Sequence, residues 1–136
     1  MKKLFVDTNI VIDLLERREP FCNDAILLFT MAYNKKVKLF VSPMTFATAS
    51  YLLRKHGTQG VNALLSNLRQ LVHIAATDEK VIDNSIASSF PDFEDAMQYY
   101  TALSAKVDII ITRNIADFEN SRLPIMTAEQ FLSMSE

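Results

Sequence analysis

The chain has 136 residues, a net charge of −2 and 49% apolar residues. This length and composition indicate a single domain, residues 1–136, that can bury a sizeable core. The small negative charge does not point to a nucleic-acid binder, yet it does not exclude one, because basic residues can cluster locally while acids bind a metal. Cys22 is the only cysteine, which excludes an internal disulfide and a cysteine-rich zinc site.

No apolar run approaches the length of a membrane span, and the N-terminus lacks the apolar segment of a secretory signal. We therefore expect a cytoplasmic protein with no membrane partner. Residues 25–77 contain no acid but six basic residues: Lys35, Lys36, Lys38, Arg54, Lys55 and Arg69. This segment could offer a basic surface to phosphates, although scattered solvating charges are the simpler explanation.

Strands and helices are predicted to alternate along the chain. Short apolar runs predict five strands: Leu4–Val6, Leu39–Val41, Leu71–Ala75, Asp108–Thr112 and Pro124–Met126. Apolar residues at helical spacing predict helices between them. This alternation favours an α/β fold in which a parallel sheet has helices on both faces.

Two helices are predicted after the first strand. Thr8 or Asn9 is expected to cap the first, whose buried stripe is predicted to be Ile10, Val11, Leu14 and Leu15. The second is predicted to begin at Asn23 or Asp24 and to carry Ile26, Leu27, Phe29, Thr30 and Tyr33 on its apolar face. Further along, three residues are predicted helix caps: Asp78, Asp92 and Thr127.

Three segments place oxygen-bearing side chains at strand ends or helix starts. Asp7 follows the first strand, where ligand sites of open α/β sheets lie, although a turn or capping role also explains it. Asp92 and Asp95 are spaced to share one face at the start of a helix, where the helix dipole alone would favour both acids. The last segment follows the most apolar strand.

That last segment contains Thr112, Asn114 and Asp117, which offer oxygen ligands, and Arg113, which offers a fork for a phosphate. A polar turn with a capping aspartate is the alternative explanation. Considered together, the three segments suit Mg²⁺ or Mn²⁺, which can activate water and neutralise a phosphodiester. No glycine-rich phosphate loop or serine nucleophile elbow competes with this interpretation.

These residues resemble the motifs of the PIN-domain family, of the VapC-like (PilT N-terminal) kind. The matching pieces are Phe5–Asn9, Asp92–Ala96 followed by Gln98–Tyr100, and Ile111–Asn114 followed by Asp117 and Phe118. The resemblance implies a three-layer, Rossmann-like parallel sheet of about five strands flanked by helices. It also implies a Mg²⁺- or Mn²⁺-dependent endoribonuclease acting on RNA, often the toxin of a toxin–antitoxin pair, with an antitoxin protein partner and commonly a homodimer.

By this resemblance, Asp7, Asp95 and Asp117 are the catalytic and metal-binding acids, and Asp92 is a further metal ligand. The residues expected to contact substrate are Asn9, Thr112, Arg113 and Asn114. The family usually has a glutamate in the helix after the second strand, and Thr48 stands about where it is expected. A hydroxyl can orient a metal-bound water but adds no negative charge, so we expect a lower metal affinity.

Two alternative functions remain open at this level. A catalytically weak or inactive PIN domain could act as an RNA- or protein-binding module, with Thr48 marking a decayed site. A phospho-accepting, receiver-like domain would also collect aspartates at strand ends. That second class should show adjacent acids near its first strand and a lysine after a late one, and neither is present here.

Overall fold

The computed structural model describes residues 1–134, which form an α/β fold around one five-stranded sheet. All strand pairs are parallel, and the strand order is β3-β2-β1-β4-β5. The strands are β1 (Lys2–Val6), β2 (Val37–Val41), β3 (Val72–Ile74), β4 (Ile109–Ile111) and β5 (Ile125–Met126). The predicted parallel sheet of about five strands is therefore confirmed.

Seven α-helices in the described part of the chain connect and flank these strands. They are α1 (Thr8–Leu15), α2 (Cys22–Tyr33), α3 (Pro43–Leu52), α4 (Gly57–Leu71), α5 (Glu79–Ala87), α6 (Phe93–Ser104) and α7 (Ala128–Met134). Two short 3₁₀ helices, Arg54–His56 and Ile115–Phe118, complete the helical structure of residues 1–134. Within that range no helix combines the length and apolar character needed to span a bilayer.

The sheet separates two layers of helices because alternate residues of its central strands point to opposite faces. On β1, Leu4 and Val6 join the core cluster that contains residues of α1, α2 and α7, while Phe5 joins the cluster that contains residues of α6. The residues of β4 alternate in the same way, since Ile109 and Ile111 belong to the first cluster and Ile110 belongs to the second. Central strands buried on both faces explain the continuous apolar runs in the sequence.

The first two helices differ from their predictions. Asp7, not Thr8 or Asn9, is the N-cap of α1, because its side chain accepts a hydrogen bond from the Thr8 N–H at 2.8 Å. The buried stripe of α1 contains Ile10, Val11, Ile12 and Asp13, whereas Leu14 and Leu15 are only partly buried. A charged residue therefore occupies a position that the apolar pattern could not reveal.

The predicted apolar face of α2 is confirmed only at Phe29. The helix buries Cys22, Ala25, Leu28 and Phe29, while Ile26, Leu27 and Tyr33 are exposed. Its start lies at Cys22, one residue before the first predicted candidate. Apolar residues at helical spacing occur on more than one face of α2. The packing of α2 against α1 and α7 therefore decides which face is buried.

The three other predicted caps are correct. The Asp78 carboxylate accepts from the Val81 N–H at 3.1 Å, and Asp92 accepts from the Asp95 N–H at 2.9 Å. Thr127 Oγ1 accepts from the Gln130 N–H at 3.1 Å, and Gln130 Oε1 accepts from the Thr127 N–H at 3.0 Å. This reciprocal pair satisfies two donors that the start of α7 would otherwise leave free.

Strand register brings two polar residues together at one edge of the sheet. Val6 pairs with Ile111, so the next residues, Asp7 and Thr112, leave neighbouring strands at the same level. The Asp7 N–H donates to the Ile111 carbonyl at 2.9 Å, which continues the ladder by one residue. Both side chains therefore emerge at the carboxyl end of the parallel sheet, where α/β folds bind their ligands.

Candidate functional site

Asp7 is almost completely buried and held by three donors. Its Oδ1 accepts from the Thr8 N–H at 2.8 Å and from Gln98 Nε2 at 3.4 Å, and its Oδ2 accepts from Thr112 Oγ1 at 2.8 Å. Only 7% of the residue is exposed. Since a carboxylate offers about four acceptor positions, one position remains for a further ligand. The carboxylate is thus fixed in orientation before any ligand arrives.

Burial raises the pKa of Asp7, while the hydrogen bonds from Thr112, Thr8 and Gln98 lower it, and the charge of Asp117 raises it further. The net direction is upward. Burial disfavours the ionised form, and the three donors compensate only in part. A cation placed beside this carboxylate would therefore relieve an unfavourable charge.

A chain of polar side chains extends from Asp7 across three helices. Gln98 Nε2 of α6 also donates to Thr8 Oγ1 of α1 at 3.1 Å, and the Thr8 hydroxyl lies 2.8 Å from the Thr45 hydroxyl of α3. Because Gln98 supplies only donors here, the Thr8 hydroxyl is free to donate to Thr45. Gln98 Oε1 is buried and has no hydrogen-bond partner among residues 1–134.

Thr48 lies one turn beyond Thr45 on α3, and two residues spaced by three share a helix face. It is half-buried. The hydroxyl predicted to replace the family's glutamate is therefore on the face of α3 that reaches toward Thr8 and the end of β1.

Asp95, in the first turn of α6, has a strongly raised pKa. Partial burial, together with the charges of Asp92, Asp117, Asp7 and Glu94, raises the pKa of Asp95 to about 7. Four other carboxylates thus act on one side chain, and none of the causes is a nearby cation. Perturbed carboxylates of this kind are typical of functional sites.

Three of the predicted acids line one small cavity of about 100 Å³. Asp92 and Asp95 reach it from the N-cap and first turn of α6. Asp117 reaches it from the second 3₁₀ helix, Ile115–Phe118, together with Glu119 just after that helix. Asp7 does not line this cavity, although its charge acts on Asp95. The structure therefore brings Asp92, Asp95 and Asp117 to one opening and places Asp7 beside it.

The donor set fits a hard divalent cation in chemistry, since it consists of carboxylate oxygens and hydroxyls without nitrogen or sulfur ligands. The uncompensated charge on Asp95 and the open acceptor position of Asp7 point the same way. Within residues 1–134, however, no three acidic, histidine or cysteine side chains converge closely enough to form a ready metal site. The charges of these acids act on one another, but their side chains do not form a complete set of metal ligands within the described residues.

Arg113 contacts a residue that the sequence did not single out. Its Nε lies 2.8 Å from Oδ2 of Asp13, whose side chain is fully buried on α1, and its guanidinium carbon lies 4.2 Å from the centre of the Phe21 ring. The Asp13 contact is an ion pair by distance but lacks hydrogen-bond geometry. Burial raises the pKa of Asp13, and Arg113 and Arg18 lower it without reversing the direction.

The remaining predicted substrate contacts, Asn9, Thr112 and Asn114, differ in whether their side chains already have hydrogen-bond partners. Thr112 Oγ1 donates to Asp7 and accepts from the Asn114 N–H at 3.1 Å, so it links the two segments. The Asn9 and Asn114 side chains form no hydrogen bond with the described residues, and Asn114 is exposed. Thr112 therefore has an observed structural role, while Asn9 and Asn114 are free to contact a ligand.

Sequence reasoning missed four polar residues of this region: Thr8, Thr45, Gln98 and Asp13. Thr8 was considered only as a cap, and Gln98 only as part of a motif. The position of Gln98, one turn after Asp95 on the same helix, was the available signal that it shares the face that carries Asp95. Thr45 and Asp13 gave no signal, because their partners are distant in sequence.

The raised pKa of Asp95 makes a prediction about stability without metal. Its folded pKa of about 7 exceeds the ordinary value of 3.8, so the folded state retains the proton over that interval. The stabilisation is complete below 3.8 and is lost as the pH rises to about 7. In EDTA, we expect the melting temperature of wild type to fall across this interval more steeply than that of Asp95→Asn.

The exposed Asp83 provides the control, because Asp83→Asn should retain the wild-type slope. Asp7 and Asp13 also have raised pKa values and remain in both proteins, so only the difference between slopes reports on Asp95. Identical slopes for wild type and Asp95→Asn would contradict the assignment.

Two sequence comparisons relate the chain to known proteins. The family model described as the PIN domain matches residues 3–116. The chain is 25% identical over 138 residues to Ribonuclease VapC1 of Aquifex aeolicus, an alignment that covers 96% of this chain and 93% of that protein.

Solved structures share the fold. A toxin–antitoxin complex from Klebsiella pneumoniae contains a chain with a TM-score of 0.71 at 21% identity, covering 92% of this chain and 97% of that one. FitAcB from Neisseria gonorrhoeae matches with a TM-score of 0.67 at 18% identity, covering 93% and 98%. At these identities, the structural matches establish the arrangement of strands and helices alone.

Proposed function

Because the chain belongs to the PIN-domain family, we propose that it is a Mg²⁺- or Mn²⁺-dependent endoribonuclease that hydrolyses phosphodiester bonds of RNA. The observation that carries this proposal is the one opening lined by Asp92, Asp95 and Asp117, with Asp7 beside it. The raised pKa of Asp95, caused by burial and then by the charges of Asp92, Asp117 and Asp7, supports it. Such a cluster is unfavourable without a cation, and oxygen ligands select a hard divalent ion.

In the proposed mechanism, Asp7 and Asp95 would be the principal residues that hold the metal, and Asp92 and Asp117 would complete the acidic set. A bound Mg²⁺ or Mn²⁺ supplies a water of lowered pKa and neutralises charge on the phosphodiester. Thr112, Gln98 and the Thr8 N–H hold the Asp7 carboxylate in one orientation. Thr48 would orient a water molecule through its hydroxyl.

The proposed substrate contacts are Asn9, Thr112, Asn114 and the free N–H groups of Arg113. Thr112 also links the Asn114 backbone N–H to Asp7. Arg113 already contacts Asp13 through Nε, so any phosphate would be bound by its terminal nitrogens.

Cleavage of a labelled single-stranded RNA by the purified chain tests the proposal directly. We expect cleavage in Mg²⁺ or Mn²⁺ that stops when EDTA is added and returns with excess metal. Cleavage that persists unchanged in EDTA, or no cleavage in either metal across a varied set of RNA sequences, would contradict it.

Adding an acid at position 48 should strengthen metal binding. A unit charge about 5 Å from a divalent ion contributes on the order of 1–2 kcal/mol even in a water-like dielectric. We therefore expect Thr48→Glu to bind Mn²⁺ roughly tenfold more tightly by calorimetric titration. Thr48→Gln, of the same size but neutral, should bind like wild type, and equal affinities for all three proteins would place position 48 outside the metal site.

The wider role proposed is that of a cytoplasmic toxin, held inactive by an antitoxin protein and commonly dimeric. The relative from Aquifex aeolicus is named a ribonuclease, and the Klebsiella pneumoniae structure is a toxin–antitoxin complex. A free nuclease would damage its host, which is why a neutralising partner is part of the proposal. Purification of the chain with the product of its neighbouring gene would test this role.

The alternative is a PIN domain without catalysis that binds RNA or protein, and absence of Mn²⁺ binding at millimolar concentration would favour it. The receiver-like alternative is not retained. Receiver domains have the strand order 2-1-3-4-5. This sheet has the order β3-β2-β1-β4-β5, with β1 at its centre.

A further inference from the structure

An aromatic groove adjoins the acidic cavity. The two share Phe90 and Asn120 among their lining residues, so they are immediate neighbours. The groove has a volume of about 480 Å³ and is lined further by Tyr100, Arg122 and Asn84. None of the residues that line it is acidic, whereas the adjoining cavity contains four carboxylates: Asp92, Asp95, Asp117 and Glu119.

The rings of this groove are fixed by one another. Phe90 lies 5.3 Å from Tyr99, 6.2 Å from Tyr100 and 6.3 Å from Phe118, measured between ring centres. Phe90 and Tyr100 are nevertheless half-exposed. Rigid aromatic rings that keep an open face are the platforms on which proteins stack unpaired bases.

Arg122 is positioned at the groove without being neutralised. Its backbone N–H donates to the Tyr99 hydroxyl at 3.0 Å, which anchors the residue to α6. Its guanidinium is exposed and makes no ion pair or hydrogen bond with residues 1–134. A cation beside open rings can bind a phosphate of the same nucleotide whose base is stacked.

From this adjacency and charge pattern, we propose that the groove binds one nucleotide of the RNA strand adjacent to the cleaved bond. Its base stacks on Tyr100, and Phe90, whose ring plane is inclined by 67° to that of Tyr100, contacts the base from the side. Its phosphate contacts Arg122, and the amides of Asn84 and Asn120, which also line the groove, contact the edge of the base. The inference rests on the proposed ribonuclease function, because the neighbouring acids define where the strand is cut.

Binding of fluorescein-labelled RNA, followed by anisotropy, tests the groove. The protein is the full chain carrying Asp7→Asn, in Mg²⁺, with strand integrity checked on a gel. The probes are an eight-nucleotide oligouridylate and an abasic strand of the same length. Tyr100→Leu should weaken oligouridylate binding roughly tenfold and leave abasic binding unchanged, because only the base is stacked. Tyr100→Phe retains the ring and should bind normally.

Arg122→Gln should weaken binding of both probes and lower the slope of affinity against salt by about 0.7, the value for one single-strand phosphate contact. Tyr33→Ala and Lys2→Gln are the matched controls, because they remove an exposed ring and an exposed charge outside this groove. Neither should change binding of oligouridylate.

The outcomes separate the groove from the proposed function. RNA cleavage by the wild-type chain, combined with normal binding by Tyr100→Leu and Arg122→Gln, would overturn the groove and leave the nuclease intact. Weakened binding by these variants without any metal-dependent cleavage would support the groove and reject the nuclease. Absence of RNA binding by the Asp7→Asn chain would overturn the groove, as would equal losses in the control variants.

Discussion

Asp7→Asn should abolish metal-dependent cleavage while leaving the fold intact. Changing the partners that merely orient a metal ligand costs 10- to 100-fold in affinity or activity, so losing the ligand's charge should cost at least about 100-fold. The substitution removes a buried charge whose pKa is raised by burial, so stability should be unchanged or higher.

The hydrogen bonds around position 7 explain why asparagine is tolerated. The amide oxygen can accept from the Thr8 N–H and Gln98, as Oδ1 does now. Its NH₂ group can donate to Thr112 Oγ1, since a hydroxyl has two lone pairs and only the Asn114 N–H uses one. The network therefore survives by rotation of one hydroxyl.

Initial cleavage rates and melting temperatures measured in parallel check this expectation, with Asp95→Asn as a second test of the same site. Asp83→Asn removes an exposed acid of α5 and serves as the matched control. A wild-type rate for Asp7→Asn at a normal melting temperature would remove Asp7 from the mechanism.

Arg113→Met should destabilise the fold strongly at neutral pH. The Asp13 side chain is fully buried, and Arg113 is the partner that lies within 2.8 Å of it. Removing one partner of a buried ion pair typically costs about 3–5 kcal/mol, because a buried charge is left without compensation. Urea denaturation at pH 7 should show a loss of this size, against a total that is typically about 5–15 kcal/mol.

A double variant distinguishes loss of the pair from loss of packing. Asp13→Leu combined with Arg113→Met replaces both partners by apolar side chains of similar volume, and such replacements are often neutral or stabilising. We expect it to recover most of the loss. Arg122→Met, at an exposed arginine without an ion pair, should stay within about 0.5 kcal/mol of wild type. Equal losses in the single and double variants would show that packing on Phe21 is the main contribution.

The strands were predictable because their physics is local. β1 and β4 lie at the centre of the sheet and are covered on both faces, so their sequences are unbroken apolar runs. The caps at Asp78, Asp92 and Thr127 were predictable for the same reason, since each accepts a hydrogen bond from a residue three positions later. Local spacing contains that information.

The contacts that organise the site were not predictable from local spacing. Gln98 reaches Asp7 across 91 positions and Thr45 reaches Thr8 across 37, so neither contact leaves a periodic trace. The sequence predicts Arg113 as a phosphate ligand because it follows a strand. In the structure its Nε instead lies 2.8 Å from Asp13, a residue near the other end of the chain. The exposed face of α2 was mispredicted because only its packing against α1 and α7 selects the buried side.

Asp7 begins α1 as well as carrying the proposed chemistry. Replacing such a cap by alanine costs typically about 1 kcal/mol in folding alone. Descendants of this gene that lost their chemistry would therefore still be selected to keep an oxygen-bearing side chain at position 7, for the sake of folding. The presence of an aspartate at position 7 is accordingly weak evidence that a related protein is catalytically active. Substitution of Asp7 by alanine would also overstate the role of its carboxylate in the reaction, because it removes the helix cap as well.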